Sequence, residues 1–176
     1  MADFATPMDM ERRSGGAIEA DHPYLADELA AASQAIRKYC GWHIAGVEEK
    51  TLRKVRPFCD EVWIPAMEIK SIDSATIDGV VVDVAGVEFD PDTGWTPLRG
   101  RSVSVTYTAG FATPPMDLKT LTLELAAGAL GSPLGISREQ AGGVSVTFTR
   151  ASGSLLVGEG GEDAARLAPY KLGVLP

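Results

Sequence analysis

The sequence predicts an α+β fold: a small helical core of two main helices plus a short C-terminal helix, with an inserted β-strand unit and a β-hairpin arm. Three observations predict it. Apolar residues recur at steps of three and four in two separate stretches, near 21–40 and 117–130, the period of a helix with one buried face. Between them, from about 47 to 111, the pattern changes to short extended runs separated by turn residues. After residue 140 an alternating run is followed by a short charged and apolar stretch that suits a terminal helix. With 176 residues, 45% of them hydrophobic, the chain is long enough for one real core, and 19 Gly with 11 Pro against 7% aromatics indicate many short elements around it.

Residues 1–20 are mixed, contain Ser14-Gly15-Gly16 and show no apolar period, so they are expected to form a mobile arm that orders against a neighbour. Residues 21–176 are read as a single domain. Its first helix is expected from Asp21, with Asp21 as N-cap, Pro23 where a missing N–H costs nothing, and Asp27 and Glu28 at the positive helix start. Leu25, Leu29, Ala32, Ile36 and Tyr39 form its apolar stripe, and Gly41 stops it.

In the β insertion at about 47–111, Asp78-Gly79 between Thr76-Ile77 and Val80-Val81-Val82 is a two-residue hairpin signal. Val103, Val105 and Tyr107 alternate with Ser102, Ser104 and Thr106, as in a half-buried strand. Pro91-Asp92-Thr93-Gly94 and Pro97 to Gly100 read as turns. Pro114-Pro115 then breaks the chain, Asp117 caps a helix with Leu118, Leu121, Leu125 and Ala129 on one face, and Gly131 and Pro133 end it. Val144, Val146 and Phe148 alternate with Ser145 and Thr147 in the expected arm. Glu162-Asp163 opens a short helix that Pro169 limits, within a C-terminal docking segment at about 162–176.

Chemistry is hard to find. His22 and His43 are the two histidines, and Cys40-Gly41-Trp42-His43 is half a zinc motif at most, better read as a helix-ending turn with Cys and Trp packed inward. Cys40 and Cys59 read as buried thiols rather than a disulfide. Asp90-Pro91-Asp92-Thr93-Gly94 lacks the length and terminal Glu of a calcium loop and suits a turn. No Gly-x-Ser-x-Gly elbow and no phosphate-binding loop occurs, so no catalytic residue, metal ligand or cofactor site is expected and the chain is read as non-enzymatic.

Sixteen basic residues against 24 acidic ones give a net charge of −8, which opposes tight binding to phosphate backbones yet suits a surface past which DNA slides. Lys50, Arg53, Lys54 and Arg56 form a local basic run that reads as a solvated face. The N-terminal residues lack the apolar region of a secretion signal, and no apolar stretch approaches the length of a membrane span, so synthesis in the cytoplasm and no membrane partner are expected.

The ordered stretches resemble a family. Tyr24 to Ile44, an Ala- and Leu-rich helix ending in Tyr39-Cys40-Gly41-Trp42, is similar to the first helix of phage head-to-tail adaptor (connector) proteins. Val62-Trp63-Ile64-Pro65, Ile72 to Gly79, and Val103 to Phe111 with its Tyr107-Thr108-Ala109-Gly110-Phe111 ending resemble the β insertion of longer members. Leu118 to Leu130 and Leu167-Ala168-Pro169-Tyr170-Lys171-Leu172 extend the resemblance to the C-terminus, while residues 1–20 depart from it.

The resemblance implies a structural virion protein of the phage neck, forming a ring, commonly of twelve subunits, between the portal protein and a stopper or tail-completion protein. DNA would then be only passing cargo. Ring closure requires two different faces on each subunit. The expected interface anchors are Val144, Val146 and Phe148 in the arm and Leu167, Tyr170 and Leu172 near the C-terminus. Two alternatives stand beside this reading: another neck protein, stopper or tail completion, and a free-standing β-rich module that binds a ligand through Trp63 or Trp95.

Overall fold

The structure, a computed structural model, describes residues 2–131, 138–141, 144–147, 155–157 and 161–173. In chain order the elements are α1 (Pro7–Ser14), α2 (Leu25–Cys40), β1 (Glu48–Cys59), β2 (Val62–Trp63), β3 (Ile69–Ile77), β4 (Val80–Val82), β5 (Trp95–Thr96), β6 (Gly100–Ala109), α3 (Met116–Gly131), β7 (Arg138–Ala141), β8 (Val144–Thr147), α4 (Glu162–Leu167) and a 3-10 turn, Ala168–Tyr170. The architecture is α+β, with four helices, a four-stranded antiparallel sheet and short two-stranded ribbons among the described residues. Two compact units divide the chain: residues 1–39 with 114–169, mostly helical, and residues 40–113 with 170–176, mostly strand.

In the helical unit the N-terminal residues differ from the expected mobile arm. Residues 7–14 are a helix, and Phe4, Ala5 and Met10 are buried. The local signal is a capping box: the Thr6 hydroxyl accepts from Asp9 N while the Asp9 carboxylate accepts from Thr6 N, Pro7 opens the first turn, and Gly15 closes the helix at φ 63°. A helix of 8 residues is too short to show a period, which is why its one buried methionine escapes pattern reading. The preceding residues are strapped to α2, where Ser33 Oγ accepts from Phe4 N at 3.1 Å and the Arg37 guanidinium lies 4.3 Å above the Phe4 ring.

Helix α2 buries Leu25, Leu29, Ala32 and Ile36, the predicted stripe, with Tyr39 half-buried. It starts at Leu25 rather than just after Asp21. Pro23 disfavours helical geometry at His22, so the stretch before Leu25 is a turn held by His22 N to Glu19 O and Leu25 N to His22 O. Helix α3 buries Leu118, Leu121, Thr122, Leu123, Leu125 and Ala126, more than one face, and Thr122 satisfies its hydroxyl on Leu118 O. Asp117 lies inside the first turn of α3 instead of capping it. Ala5, Met10, Leu25, Leu29, Leu123 and Ala126 make one apolar cluster.

The strand-rich unit is built on the order β1-β6-β3-β4, antiparallel throughout. The hairpin at Asp78-Gly79 forms as expected, with Ile77 opposite Val80 and both turn residues at positive φ, 51° and 85°. Asp78 reinforces it by accepting from Arg101 N and Ser102 N. Along β6, Val103, Val105, Tyr107 and Ala109 are buried while Ser102, Ser104, Thr106 and Thr108 form the other face. Val62, Ile64, Ala66, Ile69, Ile72, Ala75 and Leu98 are buried in the same unit. Gly94 is required at its turn, because φ is +76° and a Cβ would fall 2.1 Å from Ile64 O.

Candidate assembly surfaces

The chain end meets the strand-rich unit at an aromatic corner. Gly41 takes φ 86° after α2, and the next residues, Trp42, His43 and Ile44, are buried. The Trp42 ring lies edge-on to His43, with centroids 5.5 Å apart, and tilts against Phe111 at 6.2 Å, while Phe111 meets Tyr170 edge-on at 6.0 Å. The indole N–H of Trp42 donates to Tyr170 O at 2.6 Å, and Leu172 N donates to Cys40 O at 2.9 Å. His43 Nε2 lies 2.8 Å from Ala109 O, and Gly110 lets the backbone come this close, since a Cβ there would fall 2.7 Å from that nitrogen. With its Nε2 facing a carbonyl, His43 serves packing in the corner. Burial pushes the Cys40 thiol up to about 11, with Lys171 partly offsetting it, so the thiol stays protonated and unreactive at neutral pH. Among the described residues no group of three His, Cys, Asp or Glu is placed to hold a metal ion.

This geometry bears on the expected anchors. Tyr170 and Leu172 are half-buried and joined through their backbones to their own chain, so only part of each side chain is open to a neighbour. Leu167 is fully enclosed within the chain, which leaves it no surface to present. Its helix is fixed by Arg166, which donates to Glu124 at 2.6 Å, and by the buried Asp163 carboxylate, which accepts from Leu156 N. Val144 and Val146 fall on β8, paired with Ala141 and Glu139 of β7 respectively, so the expected arm is a hairpin. The placement of their side chains, and Phe148, lie outside the described residues.

Trp63 and Trp95 are direct cross-strand partners in the β2–β5 ribbon. Both are half-buried, and the indole N–H of Trp63 is buried and meets no acceptor among the described residues. A stacking platform for a ligand needs open ring faces, whereas this pair is built into the ribbon. The Asp90 loop is a turn: Asp90 Oδ1 accepts from Asp92 N and Thr93 N, which holds its carboxyl below the usual range.

The sheet edges were not visible as a site in the sequence. Among the described residues β1 and β4 each pair on one side alone. Register puts Arg53, Ser104, Thr76 and Val81 in one row across the sheet, with Val55 and Ser102 in the next row of that face. Val55 is 80% exposed and Val81 78% exposed, so the two edges each carry an open valine on the same face. Arg53 and Lys54 of β1 have no ion-pair partner among the described residues. β4 is flanked by Asp78 and Asp83, and residues 78–98 contain no Lys or Arg.

The fold therefore defines an α+β protein in which a four-stranded antiparallel unit interrupts a set of helices in sequence. It is shared with solved structures of phage-like particles. The chain is similar to one in the neck of a native GTA (gene transfer agent) particle with C12 symmetry, at 17% identity and a TM-score of 0.53 over 88% of this chain and 85% of that one. It is also similar to one in the neck of an empty GTA particle with C6 symmetry, at 16% identity and a TM-score of 0.54 over 92% of this chain and 83% of that one. At these identities the likeness is one of fold. No family model and no curated protein matches the sequence.

Proposed function

We propose that this chain is a structural, non-enzymatic subunit of the neck of a tailed phage or phage-like particle, a head-to-tail adaptor that forms a ring between the portal protein and a stopper or tail-completion protein. The observation that carries the reading is the fold likeness, over about nine-tenths of this chain, to chains in particle necks computed with C12 and C6 symmetry. A ring of twelve fits both symmetries. The net charge of −8 supports a lumen that lets DNA pass without gripping it. The hairpin carrying Val144 and Val146, the adjoining Phe148, and the open parts of Tyr170 and Leu172 are the surfaces offered to the portal or to neighbouring subunits.

The test is reconstitution. DNA-filled, portal-bearing heads lacking a neck are incubated with the purified chain and imaged by cryo-electron microscopy. A twelvefold ring of this subunit directly beneath the portal is the expected result. A ring one layer further from the head identifies a stopper or tail-completion protein instead, and heads that gain no density overturn the neck reading.

A further inference from the structure

Resting on the ring reading, we propose that neighbouring copies join edge to edge, β1 of one copy against β4 of the next, so that the four-stranded sheets continue from subunit to subunit. Strand direction permits it. With four strands in strict antiparallel order, β4 runs antiparallel to β1, so a second copy in the same orientation presents its β1 to β4 as another antiparallel neighbour. A sheet with an odd number of strands would meet its copy in parallel. The contact is heterologous, as ring closure requires, and both edges belong to the strand-rich unit.

Charge selects the partner. At its start β1 carries Glu48 and the exposed Glu49, with Lys50 paired to Glu48 at 3.1 Å, so the positive part of this edge is Arg53 and Lys54. The β4 edge and the loop after it carry Asp78, Asp83 and Glu88, all three exposed. Cations on an edge strand discourage β1 from pairing with another β1, and the acidic edge discourages β4 from pairing with another β4. Opposite edges attract, which leaves the head-to-tail arrangement as the favoured one. Val55 and Val81, exposed on the same face, then cover each other across the junction. β4 offers three residues and β1 shifts register after Val55, so backbone pairing is short and the charges set its alignment.

Charge reversal tests it, with the full chain and its oligomeric state read by mass photometry and electron microscopy. Arg53→Glu with Lys54→Glu, or Asp83→Lys with Glu88→Lys, is expected to weaken assembly at least about tenfold while the thermal melt stays cooperative. All four changes together should restore it. Val81→Cys combined with Val55→Cys or Arg53→Cys should yield a disulfide-linked ladder under oxidation, which the single-cysteine variants lack. Rings that persist through both reversals and give no ladder overturn the edge contact and leave the ring reading intact. A wild-type chain that stays monomeric both in solution and on portal-bearing heads overturns the ring reading and the edge contact with it.

Discussion

Replacing Trp42 with Phe should loosen the chain end without unfolding the strand-rich unit. The substitution keeps an aromatic ring against His43 and Phe111 but removes the N–H that donates to Tyr170 O at 2.6 Å. One part-buried hydrogen bond is lost and its acceptor is orphaned, a cost of about 1–2 kcal/mol. Trp42→Ala also removes a ring that is only 6% exposed and should cost about 3–5 kcal/mol. The local reporter is the Leu172 amide, bonded to Cys40 O. If residues 170–172 open as a unit, destabilisation by 1–2 kcal/mol raises its hydrogen-exchange rate roughly 5–30-fold. Exchange followed by NMR, beside urea melts, measures both quantities. A Leu172 amide that exchanges in the wild type as fast as a free peptide, or at the same rate in Trp42→Phe, would refute the corner as a latch and leave the chain end free for a partner.

The other predictions concern the helical unit. Leu29→Ala and Leu125→Ala each empty a site that is at most 1% exposed and should cost roughly 2–5 kcal/mol in thermal or denaturant melts, whereas Val81→Ala on the open edge should be near neutral. Asp9→Asn should cost about 1.5–3 kcal/mol, because the carboxylate accepts from Thr6 and pairs with Arg12 at 2.7 Å and Lys119 at 2.8 Å. Burial alone would raise that carboxyl, but the Lys119 and Thr6 hydrogen bonds and the Lys119 charge outweigh it and hold it well below the ordinary range. Its stabilisation is therefore full above about pH 4 and fades as the pH falls toward the lowered folded value, so the gap between wild type and Asp9→Asn in melts should narrow between about pH 4 and pH 2. Removing residues 166–176 deletes the enclosed Leu167 and the Arg166–Glu124 bridge and should destabilise the helical unit in melts.

The elements that sequence reading found are those whose burial is periodic over many residues. Leu25, Leu29, Ala32 and Ile36 carry three turns of α2, and Val103, Val105 and Tyr107 carry the inner face of β6, so each pattern repeats often enough to stand out. Asp78-Gly79 was equally clear, because few residue pairs tolerate positive φ at both positions. Helix α1 was missed for the opposite reason. It contributes Met10 as its one buried apolar side chain, and its formation depends on the exchange between Thr6 and Asp9 and on tertiary contacts of Phe4 with α2. The Thr6-Pro7 pair followed by Asp9 was the available signal. Leu167, one of the expected anchors, is buried in its own chain, and an apolar residue after a glycine-rich stretch looks the same in sequence whether it covers its own chain or another.

The candidate surfaces follow the same logic one level higher. Nothing in the order of residues reveals that β1 and β4 are the edges, since β4 follows β3 directly while β1 and β6 are joined by pairing across some forty residues. The basic run 50–56 read as a solvated face because a solvated face and an unpaired edge have the same composition. Topology separates them: a cation in mid-sheet is flanked by strands on both sides, whereas Arg53 and Lys54 have β6 on one side alone. At the opposite edge, β4 is bounded by two acidic residues, Asp78 and Asp83. A monomer gains little from this separation, because exposed charges interact weakly through water and the two edges face away from each other across the sheet. A closed ring gains from it at every junction, since each basic edge then meets an acidic one and no edge is left over.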